Sequence, residues 1–347
     1  MQQTAINKVE NKNYIYNGEV NLELGEKLSQ VKINYSTYGT LNKNKSNVVW
    51  VCHALTANAD PVSWWPGLVG DDCLYNPEEY FIVCANILGS CYGTSGPIEL
   101  DPSTNKNYFL SFPQVTIRDM VAAHELLRKQ LGIEKIHTCI GGSLGGQQAI
   151  EWSITNPSLI DHLILMATNA SHSPWGIAFN ESQRMAIKAD PTWDSDSLEA
   201  GKNGMGAARA MALLSYRTYE TYKKTQSEEG CELTKNFKAI SYQNYQGEKL
   251  VKRFNCHSYI YLTQAMDSHN VGRGRGSVEK ALSLVKSKTL LLGIGSDILF
   301  PPSEQKFIQQ HIKGSVYKEI DSLYGHDGFL IETEVIGGVI KEFYGGK

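Results

Sequence analysis

"KIHTCIGGSLGGQQAIEW", Lys135 to Trp152, is the stretch on which the reading of the chain turns. It passes from an apolar, β-branched segment into a serine set between glycine pairs, then into a helix-like segment. Gly141-Gly142-Ser143-Leu144-Gly145 matches G-x-S-x-G with a strand before it and a helix after it, the context that gives the motif meaning. Strand and helix backbones pass close together at such a turn, so small residues are needed on both sides. The turn presents the Ser143 hydroxyl at the exposed end of a sheet. The backbone N–H of Leu144, at the helix N-terminus, can then help to hold an oxyanion. Two other readings compete: a glycine-rich turn with an incidental serine, and a phosphate-binding loop. "GGSLGG" lacks the Lys-Ser/Thr pair of a P-loop and is not the G-x-G-x-x-G dinucleotide pattern, so we read Ser143 as a nucleophile.

Working outward, "NVVWVCHA" (47–54), "YFIVCAN" (80–86), "KIHTCIG" (135–141), "HLILMAT" (162–168) and "TLLLGIG" (289–295) are short apolar runs. They read as strands buried on both faces, as in a parallel sheet. Helical patterns lie between them. In "TIRDMVAAHELLRKQLG", Ile117, Met120, Val121, Leu127 and Leu131 share one face, Thr116 caps with Asp119 three residues on, and Gly132 stops the helix. "SEQKFIQQHIKG" repeats the logic, with Ser303 as cap and Gly314 as stop. Strands alternating with helices predict an α/β fold. Between about Trp175 and Ser287 the pattern offers helices but no buried strand, as in "GAARAMALLSYRTYETYKK". We therefore expect a core built from residues 1–174 and 288–347, with 175–287 inserted as a helical cap.

Composition bounds the function. The 347 residues suffice for one large domain with an insertion, and 41% hydrophobic with 20% charged content is that of a soluble globular protein. A net charge of -3 and no basic stripe argue against nucleic acid as a partner. No apolar run is long enough to span a membrane, and the polar "MQQTAINKVENKNY" has no signal core, so a cytoplasmic location is expected. The seven cysteines show no C-x-x-C or zinc spacing, and no metal site is expected. Cys52, Cys84 and Cys139 sit in apolar runs and read as reduced core residues.

A serine hydroxyl needs a base to take its proton, and the base needs an orienting carboxylate. After a nucleophile elbow of this kind the chain order is serine, acid, histidine. "SDILFPP", directly after a late strand, supplies Asp297, and "SLYGHDGF" supplies His326 between glycines. Asp321 is an alternative acid but lies too close in sequence to His326 to come from a separate strand end. His124 lies mid-helix and is expected at the surface, His137 inside a strand reads as structural, and His257, His269 and His311 read as solvated or capping. The second oxyanion donor is expected from "CHALTANAD", at the backbone N–H of Leu55, with His53 supporting the loop.

With these residues placed, the chain resembles the homoserine O-acetyltransferase family of the α/β-hydrolase fold, from about Ile33 to Glu332. The resemblance rests on "HALTANAD", "NILGSCYGTSGP", "FPQVTIRDMV", "GGSLGGQQAIEW", "AARAMALLSYR", "AMDSHNVGRGRG", "SDILFPPSEQ" and "YGHDGFLIE". It implies a mostly parallel sheet flanked by helices with a helical lid. It implies acetyl transfer from acetyl-CoA, a co-substrate rather than a bound cofactor, to the hydroxyl of L-homoserine in methionine biosynthesis. The route it implies is ping-pong, through an acyl-Ser143 intermediate. By resemblance Arg209 clamps the substrate carboxylate with Tyr216 beside it, and Asp327 receives the substrate amine. Arg209 and Tyr216, seven residues apart, fall on one helix face. Arg273 and Arg275 are candidates for a CoA phosphate, with a solvated loop as the other reading. The resemblance also implies a homodimer formed through the cap. A homoserine O-succinyltransferase, a serine O-acyltransferase, an esterase or thioesterase with the same triad, and a catalytically dead binding protein are the alternatives. A generic esterase does not require Arg209, Tyr216 and Asp327, and a dead protein does not require all three triad positions to be filled.

Overall fold

The structure, a computed structural model, describes residues 11–345. Its centre is an eight-stranded sheet of β1 (Lys12–Tyr16), β2 (Val31–Tyr38), β3 (Val48–Cys52), β4 (Phe81–Ala85), β5 (Ile136–Gly142), β6 (Ile160–Met166), β7 (Lys288–Ile294) and β8 (Val316–Ile320). The spatial order is β1-β2-β4-β3-β5-β6-β7-β8. β1 pairs antiparallel with β2, and β2 with β4; every other neighbouring pair is parallel. The five apolar runs read from the sequence are β3 to β7.

Alternate residues of the central strands feed two cores, because successive side chains point to opposite faces. Val48, Trp50 and Cys52 enter one cluster with Trp152 and Leu163. Val49 and Val51 enter the other with Ile140, Ile164 and Leu292. Each face is covered by helices, which is why these strands read as continuous apolar runs rather than alternating ones.

The flanking helices are α1 (Ile117–Gln130), α2 (Leu144–Thr155), α3 (Pro174–Lys188), α4 (Lys202–Tyr216), α5 (Tyr219–Gln226), α6 (Lys238–Val251), α7 (Cys256–Asp267), α8 (Val278–Leu282), α9 (Pro302–His311) and α10 (Thr333–Phe343). The segment from α3 to α8 carries no strand of this sheet. α1 opens on the expected capping box: the Thr116 side chain accepts from the Asp119 N–H, and Asp119 Oδ2 accepts from the Thr116 N–H at 2.8 Å.

Several expectations are corrected. Ser303 is not the cap of α9; Pro302 occupies the first helical position, where its missing N–H costs nothing, and the helix starts two residues earlier than a Ser303 cap would place it. His124 is buried, not at the surface, stacked on Trp152 with its Nε2 3.0 Å from Gln148 Oε1. His257 and His269 are also buried, each bonded to a backbone carbonyl, Trp193 O and Asn169 O.

Candidate active site

β5 ends in the turn that carries Ser143. This residue adopts φ 56° and ψ -127°, a conformation that costs a non-glycine residue roughly 1–3 kcal/mol and persists only where the surroundings enforce it. The surroundings do so with hydrogen bonds: Ser143 N–H donates to Met166 O at 3.0 Å, while Ser143 O accepts from Thr168 Oγ1 at 2.8 Å and from Gly146 N–H at 2.9 Å. The glycines answer to close approach. A Cβ on Gly145 would stand 2.1 Å from Cys52 O of β3, and one on Gly141 would stand 2.3 Å from Gly145 O.

Asp297 follows β7 and His326 follows β8, so the sheet brings together residues far apart in sequence. His326 Nδ1 lies 2.7 Å from Asp297 Oδ2. The other carboxylate oxygen, Oδ1, accepts from the N–H groups of Leu299 at 2.8 Å and Phe300 at 2.9 Å. Asp297 is 3% exposed and His326 4%, so water competes little for their contact. The imidazole stacks on Phe300, with ring centroids 5.1 Å apart, and meets Phe329 edge-on at 5.4 Å. Gly325, at φ 62°, turns the chain into this position, and its N–H donates to Ser296 Oγ.

One pocket of about 80 Å³ is lined by Ala54, Leu55, Thr56, Ser143, Arg209, Tyr216, His326, Asp327, Phe329 and Leu330. It gathers Ser143, His326, Leu55, Arg209, Tyr216 and Asp327 from β3, β5, α4 and the loop after β8, with Asp297 behind His326. Leu144 opens α2, so its N–H belongs to the first turn, which has no intrahelical acceptor. A larger open cavity of about 360 Å³, lined by Leu110, Trp193 and Tyr261 among others, contains none of these residues.

Arg209 and Tyr216 meet as their spacing predicts, the guanidinium carbon 5.5 Å from the ring centroid. Arg209 forms no salt bridge with any carboxylate among the described residues. Burial raises the pKa of the Tyr216 hydroxyl, Arg209 opposes that rise, and Asp327 adds to it. Sequence reasoning missed Arg217, whose Nε lies 2.7 Å from Asp327 Oδ2. Its position beside Tyr216, one step further along the chain, was the available signal.

Arg273 and Arg275 are not placed at the pocket. Arg273 pairs with Glu23 at 2.8 Å, and Arg275 pairs with Glu151 at 2.5 Å, a carboxylate only 2% exposed that Arg118 also approaches at 3.3 Å. Both guanidiniums are engaged by carboxylates away from the pocket. His53 is buried, and its ring nitrogens face Ala54 O and the Ile87 N–H, as loop support requires. No group of three or more His, Cys, Asp or Glu that could hold a metal lies together among the described residues. No helix among them is long and apolar enough to cross a membrane.

The α/β hydrolase fold family matches residues 47–333. The chain is 49% identical to the homoserine O-acetyltransferase of Cyclobacterium marinum over 325 residues, covering 94% of this chain and 92% of that protein. Among solved structures, homoserine O-acetyltransferase from Staphylococcus aureus superposes with a TM-score of 0.81 at 28% identity, covering 97% of this chain and 95% of that one. Esterase E22 superposes with a TM-score of 0.89 at 23% identity, covering 96% and 99%, and shares the fold. By the extent and level of this similarity, the chain belongs to the homoserine O-acetyltransferase family of the α/β-hydrolase fold.

Proposed function

We propose that this protein transfers an acetyl group from acetyl-CoA to the hydroxyl of L-homoserine through an acyl-Ser143 intermediate. His326 takes the Ser143 proton as the hydroxyl oxygen attacks the thioester carbonyl. The tetrahedral oxyanion is held by the N–H groups of Leu55 and Leu144. The intermediate collapses, CoA leaves as the thiol with the proton from His326, and the acetyl group stays on Ser143. His326 then takes the homoserine hydroxyl proton as that oxygen attacks the acyl carbon, and the tetrahedral intermediate collapses with the proton passing from His326 to the departing Ser143 oxygen, giving O-acetylhomoserine and the free enzyme. Asp297 keeps the Nδ1 proton in place and stabilises the imidazolium.

The observation that carries this reading is the pairing of the Ser143–His326–Asp297 constellation with two opposite charges in one pocket. Arg209 is a cation without a carboxylate partner among the described residues, suited to forking onto the substrate carboxylate. Asp327 spends Oδ2 on Arg217 and keeps Oδ1 for an ammonium group. A generic esterase needs neither charge. The insertion, read as 175–287, acts as a lid: α4 brings Arg209 and Tyr216 over the sheet end and limits water at the acyl-enzyme. Met211 and Leu214 on α4 and Ile240 and Tyr245 on α6 are exposed, which supports the homodimer contact through the lid. A cytoplasmic location agrees with the absence of disulfides among seven cysteines.

The test is to follow free CoA and O-acyl product together with acetyl-CoA or succinyl-CoA, with and without L-homoserine or L-serine. Homoserine-dependent CoA release with matching O-acetylhomoserine is expected. Preference for succinyl-CoA or serine would move the assignment within the acyltransferases, and CoA release that ignores both acceptors would overturn it in favour of a thioesterase.

A further inference from the structure

The Ala54–Leu55 peptide is held by its carbonyl. Ala54 O accepts from the Ala57 N–H at 3.0 Å and faces His53 Nδ1 at 2.9 Å. No described peptide bond is cis, and in a trans peptide the C=O and N–H point in opposite directions. Fixing Ala54 O on the protein side therefore turns the Leu55 N–H the other way, and Ala54, Leu55 and Thr56 line the pocket that contains Ser143.

The tautomer of His53 decides whether it can hold that carbonyl. The Ile87 N–H donates to Nε2 at 3.3 Å, which leaves the single proton of a neutral ring on Nδ1, the nitrogen that faces Ala54 O. Burial lowers the pKa of His53 to about 4, so the neutral ring persists at physiological pH. With both nitrogens engaged by backbone groups, His53 has no nitrogen left to exchange a proton with substrate. From this geometry we propose that His53 is a positioning residue for the oxyanion hole: its Nδ1–H holds the Ala54 carbonyl and thereby aims and polarises the Leu55 N–H. Polarisation follows because an amide whose oxygen accepts a hydrogen bond is a better donor at its nitrogen.

Gln148 on α2 extends the same device. Its Nε2 donates to His53 O and to Leu144 O, both at 3.1 Å, while its Oε1 accepts from His124. One amide thus ties the loop that carries Leu55 to the helix turn that carries Leu144. Arg253 holds the next carbonyl but one, Thr56 O.

This inference rests on Ser143 being the acylated nucleophile, so the experiment includes Ser143→Ala. Acetyl transfer is measured for the wild type, S143A, H53A, H53N and H53Q, with melting temperatures for each. Asparagine can keep a donor near the Nδ1 position; glutamine keeps only a group near Nε2. Loss of one oxyanion donor costs about 10²–10³-fold in kcat, and a misaimed donor should approach the lower figure. H53A and H53Q should lose about 10- to 100-fold in kcat with KM within about threefold, and H53N should recover most of the loss. A folded H53Q as active as H53N, or a loss confined to KM, overturns the proposal even where H53A fails to fold. If S143A retains turnover, the nucleophile assignment itself fails, a result distinct from inert His53 variants beside a dead S143A.

Discussion

Replacing Asp297 by asparagine exchanges one oxygen for an NH₂ group, and the structure says where that group must go. Oδ1 accepts two backbone N–H groups, from Leu299 and Phe300, and Oδ2 faces His326 Nδ1. The asparagine oxygen will stay with the two amides, because turning it away would leave both buried donors facing an NH₂ group. Each unsatisfied donor costs about 1–3 kcal/mol, so the flip costs roughly 2–6 kcal/mol. The NH₂ group therefore faces Nδ1 and forces the imidazole into the tautomer with its proton on Nε2. That nitrogen can no longer accept the Ser143 proton. At about 1.36 kcal/mol per factor of ten, the productive tautomer becomes rarer by a factor between about 30 and about 3 × 10⁴, and kcat should fall by the same factor. The assay is thiol release from acetyl-CoA with homoserine saturating, beside a thermal melt. Because the exchange is isosteric and removes a buried charge, the melting temperature should change by only a few degrees. A D297N enzyme that keeps more than a tenth of wild-type kcat would refute the reasoning.

Three further outcomes follow from the same geometry. Arg209→Ala should raise the KM for the amino-acid acceptor about 10²-fold or more, since a charge-assisted bidentate contact is lost, while burst acylation by the donor stays near wild type; equal loss in both half-reactions would argue against a carboxylate clamp. Gly145→Ala should cost several kcal/mol, or prevent folding, because the added Cβ stands 2.1 Å from the Cys52 carbonyl oxygen, and an unchanged melt would show that the strand–helix approach is looser than described. Burial lowers the pKa of His53 and His172 to about 4 and of His269 to about 3, all below the ordinary value of 6.5. The unfolded chain then binds protons that the folded one does not, so stability is full above about pH 6.5 and falls as pH drops toward 4. Melts between pH 7 and pH 5 should show uptake of up to three protons on unfolding, and a flat profile would contradict the neutral, buried assignment.

The sheet interior and the nucleophile–base–acid set were legible because their signals are local. Strands β3 to β7 are apolar runs, Ser143 and Asp297 each follow the end of one of them within three residues, and His326 stands between glycines where the serine–acid–histidine order requires it. The edge strands were not legible for a physical reason. β8, Val316–Ile320, carries exposed Lys318 and Glu319 because one flank meets solvent, so it lacks the continuous apolar run that marks β3 to β7. His124 was misread although the periodicity placed it inward: it lies seven residues after Ile117, four after Met120 and three after Val121, on the buried face of α1. Its polarity outweighed its position, and the Gln148 side chain that satisfies it comes from another helix. The same applies to Arg217 and Asp327, and to the ion pairs of Arg273 and Arg275, whose partners lie far away in sequence. Pairing across the fold is what sequence periodicity cannot supply.

The central claim is that an acetyl group rests on Ser143 between two half-reactions. It is tested most directly by mixing the protein with acetyl-CoA and no acceptor, quenching in acid, and measuring the intact mass and the labelled peptide. The account predicts one added acetyl group per chain, on the peptide carrying Ser143, discharged on addition of L-homoserine with stoichiometric O-acetylhomoserine. Acetyl transfer to homoserine with no labelled Ser143 at any time, or with the label on another residue, would contradict it.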